Sequence, residues 1–512
     1  MSERSGDPRG RAERRDASGR QRPPARDRSA HHRSAQRPSE RARRTDKARL
    51  TAYTAMREIA EGAYANLVLP ALLREKHLTG RDAAFTTELV YGATRLRGLY
   101  DAIVSIAADR PLDQIDPRVL DSLRLGAHQL LGMRVPTHAA VDETVALARQ
   151  VNGAGAAGFV NAVLRRVSER EPDEWADLVA ASTTDPVEAL AIRTSHPLWI
   201  TKALRAALIG HGAVSASEVD PALTALLEAD NTPAKVSLVA RPGLSTVDEL
   251  VEAGAEASAL SPQGATLAEG DPGSIAAIRE GRAAVQDEGS QLIALALAAA
   301  TVEGPAAESE RWLDLCAGPG GKAGLLAALA IQRRIPFVAN EVSAHRTDLV
   351  RQTLGPALRA AAAAGTALEV RTADGREIGG DEPTAYSRVL IDAPCTGLGA
   401  LRRRPEARWR RTAGNVAALA GLQRELLVSG IEATAPGGVV AYATCSPHLN
   451  ETRFVVSDVV KKRDDVEIVD ARGLFVDASG DPLPQLGEGP FVQLWPHVHG
   501  TDGMFFALLR RR

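Results

Sequence analysis

The first regular pattern of apolar residues begins near Arg49 and has the spacing of a helix. One face of a 3.6-residue period collects Met56, Ile59, Ala60, Ala63 and Leu67. Helix-breaking residues then recur along the chain, at Gly80, Pro111, Pro117 and Pro136. They divide this segment into helices of about 10 to 20 residues, a common length in globular proteins. The sequence therefore predicts an all-α domain over residues 47–170.

The next segment, residues 171–284, mixes two kinds of pattern. A helical pattern covers about residues 196–209, and a short apolar run covers residues 235–240. Prolines separate the short runs of this segment, at Pro233, Pro242 and Pro262. We predict a small α+β connector here.

From residue 285 onward, short apolar runs alternate with helical segments. The runs that we interpret as strands cover residues 312–315, 336–339, 368–372, 389–391 and 439–443. Strands that alternate with helices are typical of a mostly parallel, doubly wound α/β sheet. Such sheets bind ligands at the carboxyl ends of their strands. The sequence therefore predicts an α/β domain over residues 285–512, with its chemistry in the loops that follow the strands.

Composition agrees with a multidomain protein and excludes several other classes. The chain has 512 residues, of which 44% are apolar and 25% are charged, an ordinary composition for a soluble protein of about three domains. It contains no apolar run of about 20 residues that would span a bilayer, and its first residues lack the apolar core of a signal peptide. We therefore expect a cytoplasmic protein without a membrane partner. Three cysteines without a CxxC pair predict free thiols, and we expect neither disulfides nor a metal site.

The net charge of -2 conceals a basic amino-terminal segment. Residues 1–46 contain 14 Arg, no Lys and 7 acidic residues, which gives +7 for this segment and -9 for the rest. A segment with almost no large apolar side chains cannot bury enough surface to offset its ordering entropy. We predict a disordered tail, which either contacts a polyanion such as RNA or serves as a solubilising extension.

The loop after the first strand of the α/β domain is rich in glycine. Its sequence is DLCAGPGGKAG, residues 314–324, and it leads into a helix. Gly318, Gly320 and Gly321 permit a close backbone approach to a ligand, and the amino terminus of the helix presents free N–H groups. The loop is not a P-loop, because Ala323 stands where that motif needs Ser or Thr.

Acidic residues follow the next two strands. Glu341 lies 20 residues beyond Gly321, the usual distance for a carboxylate that accepts hydrogen bonds from ribose hydroxyls. Asp374 follows the third strand. A glycine-rich loop and two acids at successive strand ends predict a site for an adenosine-containing cofactor. Either acid taken alone is equally consistent with a local cap at a strand end.

Cysteines follow the fourth and fifth strands, Cys395 in DAPCTG and Cys445 in ATCSP. A thiolate is a good nucleophile toward the electron-poor C6 of cytosine, and its addition makes C5 nucleophilic toward an electrophilic methyl group. Asp392 lies three residues before Cys395, where a carboxylic acid would assist the addition by protonating ring N3. The target base has to leave its stack to be attacked in this way. The residues alone leave the roles of the two cysteines open.

A basic run with one aromatic residue follows Cys395. It comprises Arg402, Arg403, Arg404, Arg408, Trp409, Arg410 and Arg411. Phosphate contacts and base stacking need these residue types, which favours RNA as the partner. A solvated helix start is the alternative for any one of these arginines.

These motifs resemble those of a known family. VQDEGSQL (285–292), DLCAGPGGK, DAPCTGLGALRRRPEARWR and ATCSPHLNE are similar to motifs of S-adenosylmethionine-dependent RNA cytosine-5 methyltransferases, in particular the bacterial 16S ribosomal RNA enzymes of the RsmB (Sun, Fmu) type. DAAFTTELVYGATR (82–95), HAAVDETVALA (138–148) and GFVNAVLRRV (158–167) resemble the NusB-like amino-terminal domain of that family. The resemblance covers about residues 47–512. It implies a NusB-like RNA-binding domain followed by a Rossmann-like class I methyltransferase domain.

Carried over residue by residue, the resemblance implies a role for each strand-end loop. The methionine part of S-adenosylmethionine would contact Cys316, Ala317, Gly318, Pro319, Gly320, Gly321 and Lys322. Glu341 would bind the ribose, Asp374 would bind the adenine, and Asp392 would lie beside the sulfonium and the target base. In this family the cysteine of the TCS motif is the nucleophile, which implies Cys445. The cysteine of the PC motif, here Cys395, is implied to assist release of the product.

The chain departs from the family pattern in three places near the cofactor loop. Gly318 and Ala323 stand where many relatives have Ala and Thr. Glu341 stands where Asp is frequent, and it can still accept hydrogen bonds from a ribose. The arginine-rich tail has no counterpart in the family, so the resemblance implies no role for it.

The sequence thus predicts an enzyme that methylates C5 of a cytosine in 16S ribosomal RNA through a covalent adduct of Cys445 with C6. We expect S-adenosylmethionine as cofactor, 16S ribosomal RNA as partner, and a monomer. One alternative is the same chemistry on transfer RNA. Another is a non-catalytic RNA-binding or antitermination-type factor, which the presence of Cys395, Cys445 and Asp392 disfavours. A DNA cytosine methyltransferase would have a single PC nucleophile and no TCS motif.

Overall fold

The computed structural model describes residues 46–512. The predicted disordered tail therefore lies outside the described residues, except for Asp46 at its end. The carboxylate of Asp46 accepts hydrogen bonds from the amides of Ala48 and Arg49 and caps the first helix. Helices of 11 to 16 residues follow, α1 (Lys47–Ala60), α2 (Ala65–Glu75), α3 (Gly80–Arg95), α4 (Arg97–Ala108), α5 (Pro117–Leu131), α6 (Thr137–Val151) and α7 (Ala154–Val167). The predicted amino-terminal helical region is confirmed.

The predicted apolar face of the first helix is wrong in its second half. Met56 and Ile59 are buried as expected, but α1 ends at Ala60. The chain then turns at Gly62, whose φ of +111° suits a residue without Cβ. Leu67 belongs to the next helix and is 65% exposed. The turn interrupts the helical period, so positions that share a face in the sequence pattern do not share one in the fold.

Further helices and a small sheet connect the helical region to the rest of the chain. The helices are α8 (Pro172–Ala180), α9 (Pro186–Arg193), α10 (Leu198–Gly210), α11 (Val219–Asn231), α12 (Val247–Glu252) and α13 (Ala276–Arg279). The strands are β1 (Val236–Ala240), β2 (Glu256–Ala257), β3 (Gly264–Leu267) and β4 (Ala283–Val285). They pair antiparallel in the order β2-β3-β1-β4. The predicted helix near 196–209 and the predicted strand at 235–240 are present as α10 and β1.

A larger sheet forms the centre of the carboxyl-terminal half. Its strands are β5 (Trp312–Asp314), β6 (Phe337–Glu341), β7 (Leu368–Thr372), β8 (Tyr386–Asp392), β9 (Thr434–Thr444), β10 (Val466–Val469), β11 (Val492–Gln493) and β12 (Phe505–Arg511). The strand order is β10-β12-β9-β8-β5-β6-β7, with β11 paired to β12. Strands β5 to β9 pair in parallel, and the pairs that involve β12 are antiparallel. The predicted mostly parallel α/β sheet is confirmed, and β5 to β9 are the five strands that the sequence predicts.

The remaining helices precede β5 or connect β5 and the strands that follow it. They are α14 (Glu288–Ala299), α15 (Gly304–Glu308), α16 (Gly321–Gln332), α17 (Ala344–Ala364), α18 (Ile378–Asp381), α19 (Ala407–Arg410), α20 (Ala413–Ala433), α21 (Arg453–Val460) and α22 (Pro496–His499). The longest, α17 and α20, have 21 residues each. Within residues 46–512, no helix is both long enough and apolar enough to cross a membrane.

Helices cover both faces of the large sheet. Leu390 in β8 packs into one core with residues of α14, α16 and α17, whereas its neighbours Val389 and Ile391 pack into another core with residues of α20 and α21. Side chains alternate between the two faces along a strand, so a strand buried on both faces is apolar at every position. This explains the continuous apolar runs of β8 and β9, whereas β7, at the edge of the sheet, alternates apolar and polar residues.

The strand order fixes where a ligand can bind. β5 lies between β6 and β8, so the chain first proceeds from β5 to β6 and β7 on one side and then crosses to β8 and β9 on the other. In open α/β sheets a crevice forms outside the carboxyl ends of the strands where the order reverses. β5 and β8 end at Asp314 and Asp392, and the loops after these residues meet at that crevice.

The close packing of α3 on α5 depends on Gly92. A Cβ on this residue would lie 2.0 Å from Nε2 of the buried His128. We predict that Gly92→Ala lowers the free energy of unfolding by about 1 to 3 kcal/mol, because an overpacked core forces strain on its neighbours. Urea unfolding followed by circular dichroism measures this change.

Gly158→Ala in α7 is the matched control, since nothing lies within 4 Å of a Cβ there. It is expected to stabilise the protein by about 0.5 to 1 kcal/mol, the usual cost of glycine relative to alanine in a helix. Effects of the same sign and size in the two variants would contradict the close approach of α3 to α5.

Candidate active site

The loop between β5 and α16 is shaped for a close approach to a ligand. It ends at Gly320, whose φ of +111° favours glycine. A Cβ on Gly320 would lie 2.8 Å from Cβ of Thr353, and a Cβ on Gly318 would lie 2.2 Å from Oε2 of Glu341. The loop is therefore pressed against α17 and the end of β6. The first amides of α16 have no partner within their helix and can bind a polar or anionic group.

One buried amide connects the loops that follow β5, β6 and β7. Nδ2 of Asn340 donates to the carbonyl oxygens of Leu315 and Ala373, both at 3.1 Å. The carbonyl oxygen of Asn340 accepts from the amide of Ala317 at 2.8 Å. Asn340 therefore holds together the loops that carry the predicted cofactor-binding residues. No role was predicted for it, and its polar side chain inside the apolar run FVANE is the feature that would have pointed to it.

Glu341 lies at the expected end of β6, where it is buried. Its Oε2 accepts from the amide of Gly318 at 3.2 Å, and its Oε1 accepts from the amide of Ser343 at 3.0 Å. Nη2 of Arg346 lies 3.2 Å from Oε2 of Glu341 and donates to the carbonyl oxygen of Gly318 at 2.7 Å. The carboxylate thus holds the glycine-rich loop, and its remaining lone pairs can accept further hydrogen bonds.

Asp374 follows β7 at the same edge of the sheet and is partly exposed. Its carboxylate accepts from the amide of Arg376 at 3.0 Å, and Oδ2 lies 2.6 Å from Nη2 of the same arginine. These hydrogen bonds from Arg376 hold the pKa of Asp374 below its usual range. The structure therefore brings Asp374 to the predicted edge as a carboxylate paired with a neighbouring arginine.

A lysine compensates the acids at the ends of β5 and β8. Nζ of the buried Lys322 donates to Oδ2 of Asp392 at 2.9 Å. Burial opposes the ammonium form, but the charge and hydrogen bond of Asp392 outweigh it and raise the pKa of Lys322. Burial, followed by the charge of Asp392, raises the pKa of Asp314 to about 8. At neutral pH, Asp314 therefore holds a proton while Asp392 forms an ion pair with Lys322.

The two cysteines of the α/β domain lie together, with 3.4 Å between their Sγ atoms. The hydrogen bond from Cys395 lowers the pKa of Cys445. The positive charges of Lys322 and Arg404 also lower the pKa of Cys445, whereas burial and the negative charge of Asp392 oppose this effect. The same thiol contact, burial and the charge of Glu451 raise the pKa of Cys395. The site therefore favours the thiolate on Cys445 over the thiolate on Cys395.

A buried carboxylate joins the loops that carry the two cysteines. Oε1 of Glu451 accepts from the amide of Thr396 at 2.8 Å, and Oε2 accepts from Oγ of Ser446 at 2.6 Å. Thr396 follows Cys395 and Ser446 follows Cys445 in the chain, so Glu451 connects the two loops beside the thiols. Its contact with Thr396 joins positions 55 residues apart, which no local pattern in the sequence reveals.

The arginine run after Cys395 does not form the exposed surface that its composition suggests. Arg408 is fully buried, so its interpretation as a phosphate contact is wrong. Main-chain or carboxylate oxygens accept hydrogen bonds from the side chains of Arg402, Arg403, Trp409, Arg410 and Arg411. Arg404 is exposed, and its charge acts on Cys445. Most side chains of this basic run therefore form hydrogen bonds within the protein.

One side chain adds a candidate cofactor contact that the sequence did not assign. Gln286 follows β4 and is buried. Within the described part of the chain, neither Nε2 nor Oε1 of its side-chain amide has a hydrogen-bond partner. Its Cδ lies 4.0 Å from the Cβ position of Gly321, at the start of α16. Buried amides are almost always paired. A polar ligand at the start of α16 would supply the missing partners.

Two family models match separate parts of the chain. The model described as 16S rRNA methyltransferase RsmB/F matches residues 303–510, which contain the large sheet and both thiol loops. The model of the NusB family matches residues 46–169, which contain α1 to α7. The two matches follow each other in the order that the sequence motifs predict.

Known proteins resemble the chain over nearly its whole length. A putative methyltransferase of Mycobacterium tuberculosis is 49% identical over 92% of this chain and 98% of its own length. The ribosomal RNA small subunit methyltransferase B of Pseudomonas syringae pv. tomato is 32% identical over 90% of this chain and 96% of its own length. The crystal structure of PH0851 superposes with a TM-score of 0.71 at 20% identity, and the match covers 91% of this chain and 98% of that protein. At that identity the superposition supports the fold alone.

We predict that Cys445 is the most readily alkylated of the three cysteines at neutral pH. The thiolate is the reactive form, and the contact with Cys395 favours it on Cys445, whereas burial raises the pKa of Cys316. Iodoacetamide labelling of the native protein, followed by mass spectrometry of its peptides, measures the three rates.

Cys395→Ala should slow the labelling of Cys445, because loss of the S–H donor raises the pKa of Cys445 and reduces its thiolate fraction. Cys316→Ala is the matched control and should leave the rate at Cys445 unchanged. Labelling of Cys445 that becomes faster in Cys395→Ala would disprove the stabilising contact.

Proposed function

Because this chain belongs to the RsmB/F family of 16S rRNA methyltransferases, we propose that it transfers a methyl group from S-adenosylmethionine to C5 of a cytosine in 16S ribosomal RNA. The observation that carries this chemistry is the pair of thiols 3.4 Å apart at the carboxyl ends of β8 and β9. Two thiols beside an acid suit covalent addition to a pyrimidine and the reversal of that addition. Direct methyl transfer to an amino group or a ribose hydroxyl would need neither thiol.

The residues around the start of α16 fit S-adenosylmethionine. Gly318 and Gly320 leave no room for a Cβ, and the unpaired amide of Gln286 supplies a donor and an acceptor beside them. The proposed contacts are residues 316–322 and Gln286 for the methionine part, Glu341 for the ribose, and Asp374 with the exposed apolar Val342 for the adenine. When bound, S-adenosylmethionine supplies an electrophilic methyl group. Asp392 would lie beside that group and the target base.

Cys445 is the proposed nucleophile. The hydrogen bond from Cys395 lowers the pKa of Cys445 before substrate binds, and the thiolate of Cys445 adds to C6 of a cytosine that has left its stack. As the C6–S bond forms, ring N3 takes up a proton from Asp392, and the ammonium group of Lys322 supplies that proton to Asp392 along their hydrogen bond. Lys322 holds the Asp392 carboxyl in place through a hydrogen bond of 2.9 Å. The resulting neutral enamine is nucleophilic at C5.

Cys395 is the proposed assistant in product release. After C5 has gained the methyl group, a base removes the C5 proton, the C5–C6 double bond reforms, and the sulfur of Cys445 leaves as a thiolate. The S–H group of Cys395 lies within reach of that sulfur, and the hydrogen bond that stabilises the thiolate in the free enzyme also stabilises it as a leaving group. N3 returns its proton to Asp392 and through it to Lys322, which restores the ion pair.

The RNA is proposed to be 16S ribosomal RNA. The relatives named ribosomal RNA small subunit methyltransferase B and the match of residues 46–169 to the NusB family support this substrate. The same chemistry on transfer RNA is the alternative within this class. A non-catalytic RNA-binding factor is less well supported, because Cys395, Cys445 and the Lys322–Asp392 pair are assembled at one edge of the sheet.

The test is to incubate the purified protein with methyl-labelled S-adenosylmethionine and, separately, deproteinised 16S ribosomal RNA, transfer RNA and duplex DNA. Nucleoside analysis is expected to find the label as 5-methylcytidine in 16S ribosomal RNA only. Label in transfer RNA alone would change the substrate, and label in another nucleoside would disprove the C5 chemistry. If neither free RNA nor small ribosomal subunits take up label while the cofactor still binds, the non-catalytic factor is the better explanation.

The two cysteines are expected to give opposite results as alanine variants. Cys395→Ala should accumulate a covalent protein–RNA adduct, because the leaving thiolate loses its hydrogen-bond donor. Cys445→Ala should neither methylate RNA nor form the adduct. A denaturing gel with labelled RNA reports the adduct, and the reverse pattern would exchange the roles of the two residues.

Gly318 and Glu341 are expected to act as a pair in cofactor binding. A Cβ on Gly318 would lie 2.2 Å from Oε2 of Glu341, and the shorter Asp side chain would relieve that contact. We predict that Gly318→Ala weakens S-adenosylmethionine binding about tenfold, a loss of about 1.4 kcal/mol. Combining it with Glu341→Asp should recover most of this loss, since contacting residues are energetically coupled. Isothermal titration calorimetry measures the affinities, and additive losses in the double variant would contradict the pairing.

A further inference from the structure

The short helix α19 connects the Cys395 loop to the helical region of the chain. Its Arg408 is fully buried, and burial lowers the pKa of this guanidinium to about 10, so it remains charged at neutral pH. The guanidinium donates to the carbonyl oxygens of Arg95 at 3.3 Å, Ser195 at 3.2 Å and Asp230 at 3.2 Å. Arg95 ends α3, and Asp230 lies in the last turn of α11. Carbonyl groups at such ends lack partners within their helix and carry the negative end of the helix dipole.

The two residues after Arg408 extend this contact to other helices. Nε1 of Trp409 donates to the carbonyl oxygen of Thr94 at 2.8 Å. The indole ring lies so close to α4 that a Cβ on Gly98 would be 2.5 Å from it. Nη2 of Arg410 donates to the carbonyl oxygen of Ile59 in the last turn of α1 at 2.7 Å. α19 thus donates hydrogen bonds to carbonyl groups at the carboxyl ends of α1, α3 and α11.

Two hydrogen bonds connect α19 to the thiol pair. Nε of Arg411, directly after α19, donates to the carbonyl oxygen of Thr396 at 3.1 Å. Thr396 follows Cys395, and its amide donates to Oε1 of Glu451 at 2.8 Å. Glu451 in turn holds the loop after Cys445. Direct contacts therefore lead from the helix ends to the residues beside both sulfurs.

The loop after Cys445 is also held by residues at the carboxyl end of α10. Nε2 of His211, directly after α10, donates to the carbonyl oxygen of Pro447 at 2.9 Å. Burial lowers the pKa of His211 to about 4, so at neutral pH the ring is uncharged and carries its proton on the nitrogen that faces this carbonyl. Leu449 packs against Gly210, where a Cβ would lie 2.6 Å from its Cδ1. Both cysteine loops are thus attached to residues 46–231.

We propose that residues 46–231 set the distance between the two catalytic thiols, with Trp409, Arg411 and His211 as positioning residues. None of these three side chains touches the reacting atoms. Loss of one of their hydrogen bonds releases the attached loop, which moves the two Sγ atoms apart and removes the S–H donor from Cys445. The inference rests on the proposed function only in treating the thiol pair as the reactive centre.

The experiment compares two Trp→Phe substitutions in the full chain. Trp409→Phe removes the indole N–H that the carbonyl oxygen of Thr94 accepts. Trp175→Phe is the matched control. It removes an indole hydrogen bond of the same length, 2.8 Å, which joins α8 to the carbonyl oxygen of Val167 at the end of α7. The rate of Cys445 alkylation by iodoacetamide is followed from acid to alkaline pH, together with the Kd for S-adenosylmethionine.

Trp409→Phe is expected to shift the alkylation profile of Cys445 to higher pH by about half a unit, which slows labelling at neutral pH about threefold. The Kd for S-adenosylmethionine should stay unchanged. Trp175→Phe should leave the profile unchanged. An equal shift in both variants would overturn the proposal, because it would show that any loss of stability in the helical region moves the profile.

Arg411→Gln and His211→Gln test the two loops separately, and both remain informative if Trp409→Phe does not fold. Arg411 is partly exposed, so its substitution leaves the core intact. Each variant should shift the profile in the same direction as Trp409→Phe, and Arg411→Lys should show a smaller shift than Arg411→Gln. Unchanged profiles in both glutamine variants, with native circular dichroism, would overturn the proposal.

Labelling needs no RNA, so its outcome is separate from that of the methylation assay. A protein that fails to methylate 16S ribosomal RNA but shows the expected profile shifts would retain the positioning role and lose the proposed substrate. With an active protein, the positioning variants should lower kcat and leave KM for RNA unchanged. The reverse split would indicate that these residues contribute to RNA binding instead and would overturn the positioning role.

Discussion

The carbonyl groups at the carboxyl ends of α3 and α11 need hydrogen-bond donors, and α19 supplies them. A buried guanidinium is costly unless its N–H groups are paired and its charge is compensated. The helix ends around Arg408 offer both main-chain acceptors and the negative ends of helix dipoles. These requirements hold α19 in one place, and α19 belongs to the segment that carries Cys395. The geometry of that loop is therefore decided by packing in a distant part of the chain.

Charge compensation links the cofactor loop to the thiols. The acids at the strand ends would repel one another and a nearby thiolate if all were ionised. Lys322 forms an ion pair with Asp392, and burial leaves Asp314 protonated at neutral pH. The charge of Lys322 also favours the thiolate on Cys445. The ammonium group of Lys322, in the first turn of α16, thus interacts with both the acids and the thiols of the site.

Local patterns predicted the parts of the fold that depend on local physics. The patterns located β5 to β9: β5, β6, β8 and β9 are largely buried and mostly apolar, whereas the edge strand β7 alternates apolar and polar residues. The same patterns failed where a single turn changed the direction of the chain. Leu67 continues the helical period of α1 in the sequence, but the turn at Gly62 places it on the surface. The arginine run likewise looks like an exposed basic patch until the acceptors of Arg408, which come from distant segments, are known.

The sequence by itself determined the order of the regions, the strands, and the loops that bear Gly318, Glu341, Cys395 and Cys445, because these follow from hydrophobic periodicity and residue chemistry along the chain. Only the tertiary structure decided which sulfur favours the thiolate, since this depends on the neighbouring charges and on a contact between residues 50 apart. The roles of Asn340 and Gln286, and the contact of Glu451 with Thr396, likewise appear only when distant segments meet. Hydrogen bonds and electrostatic effects act over a few ångströms in space, whereas a sequence records distance only along the chain.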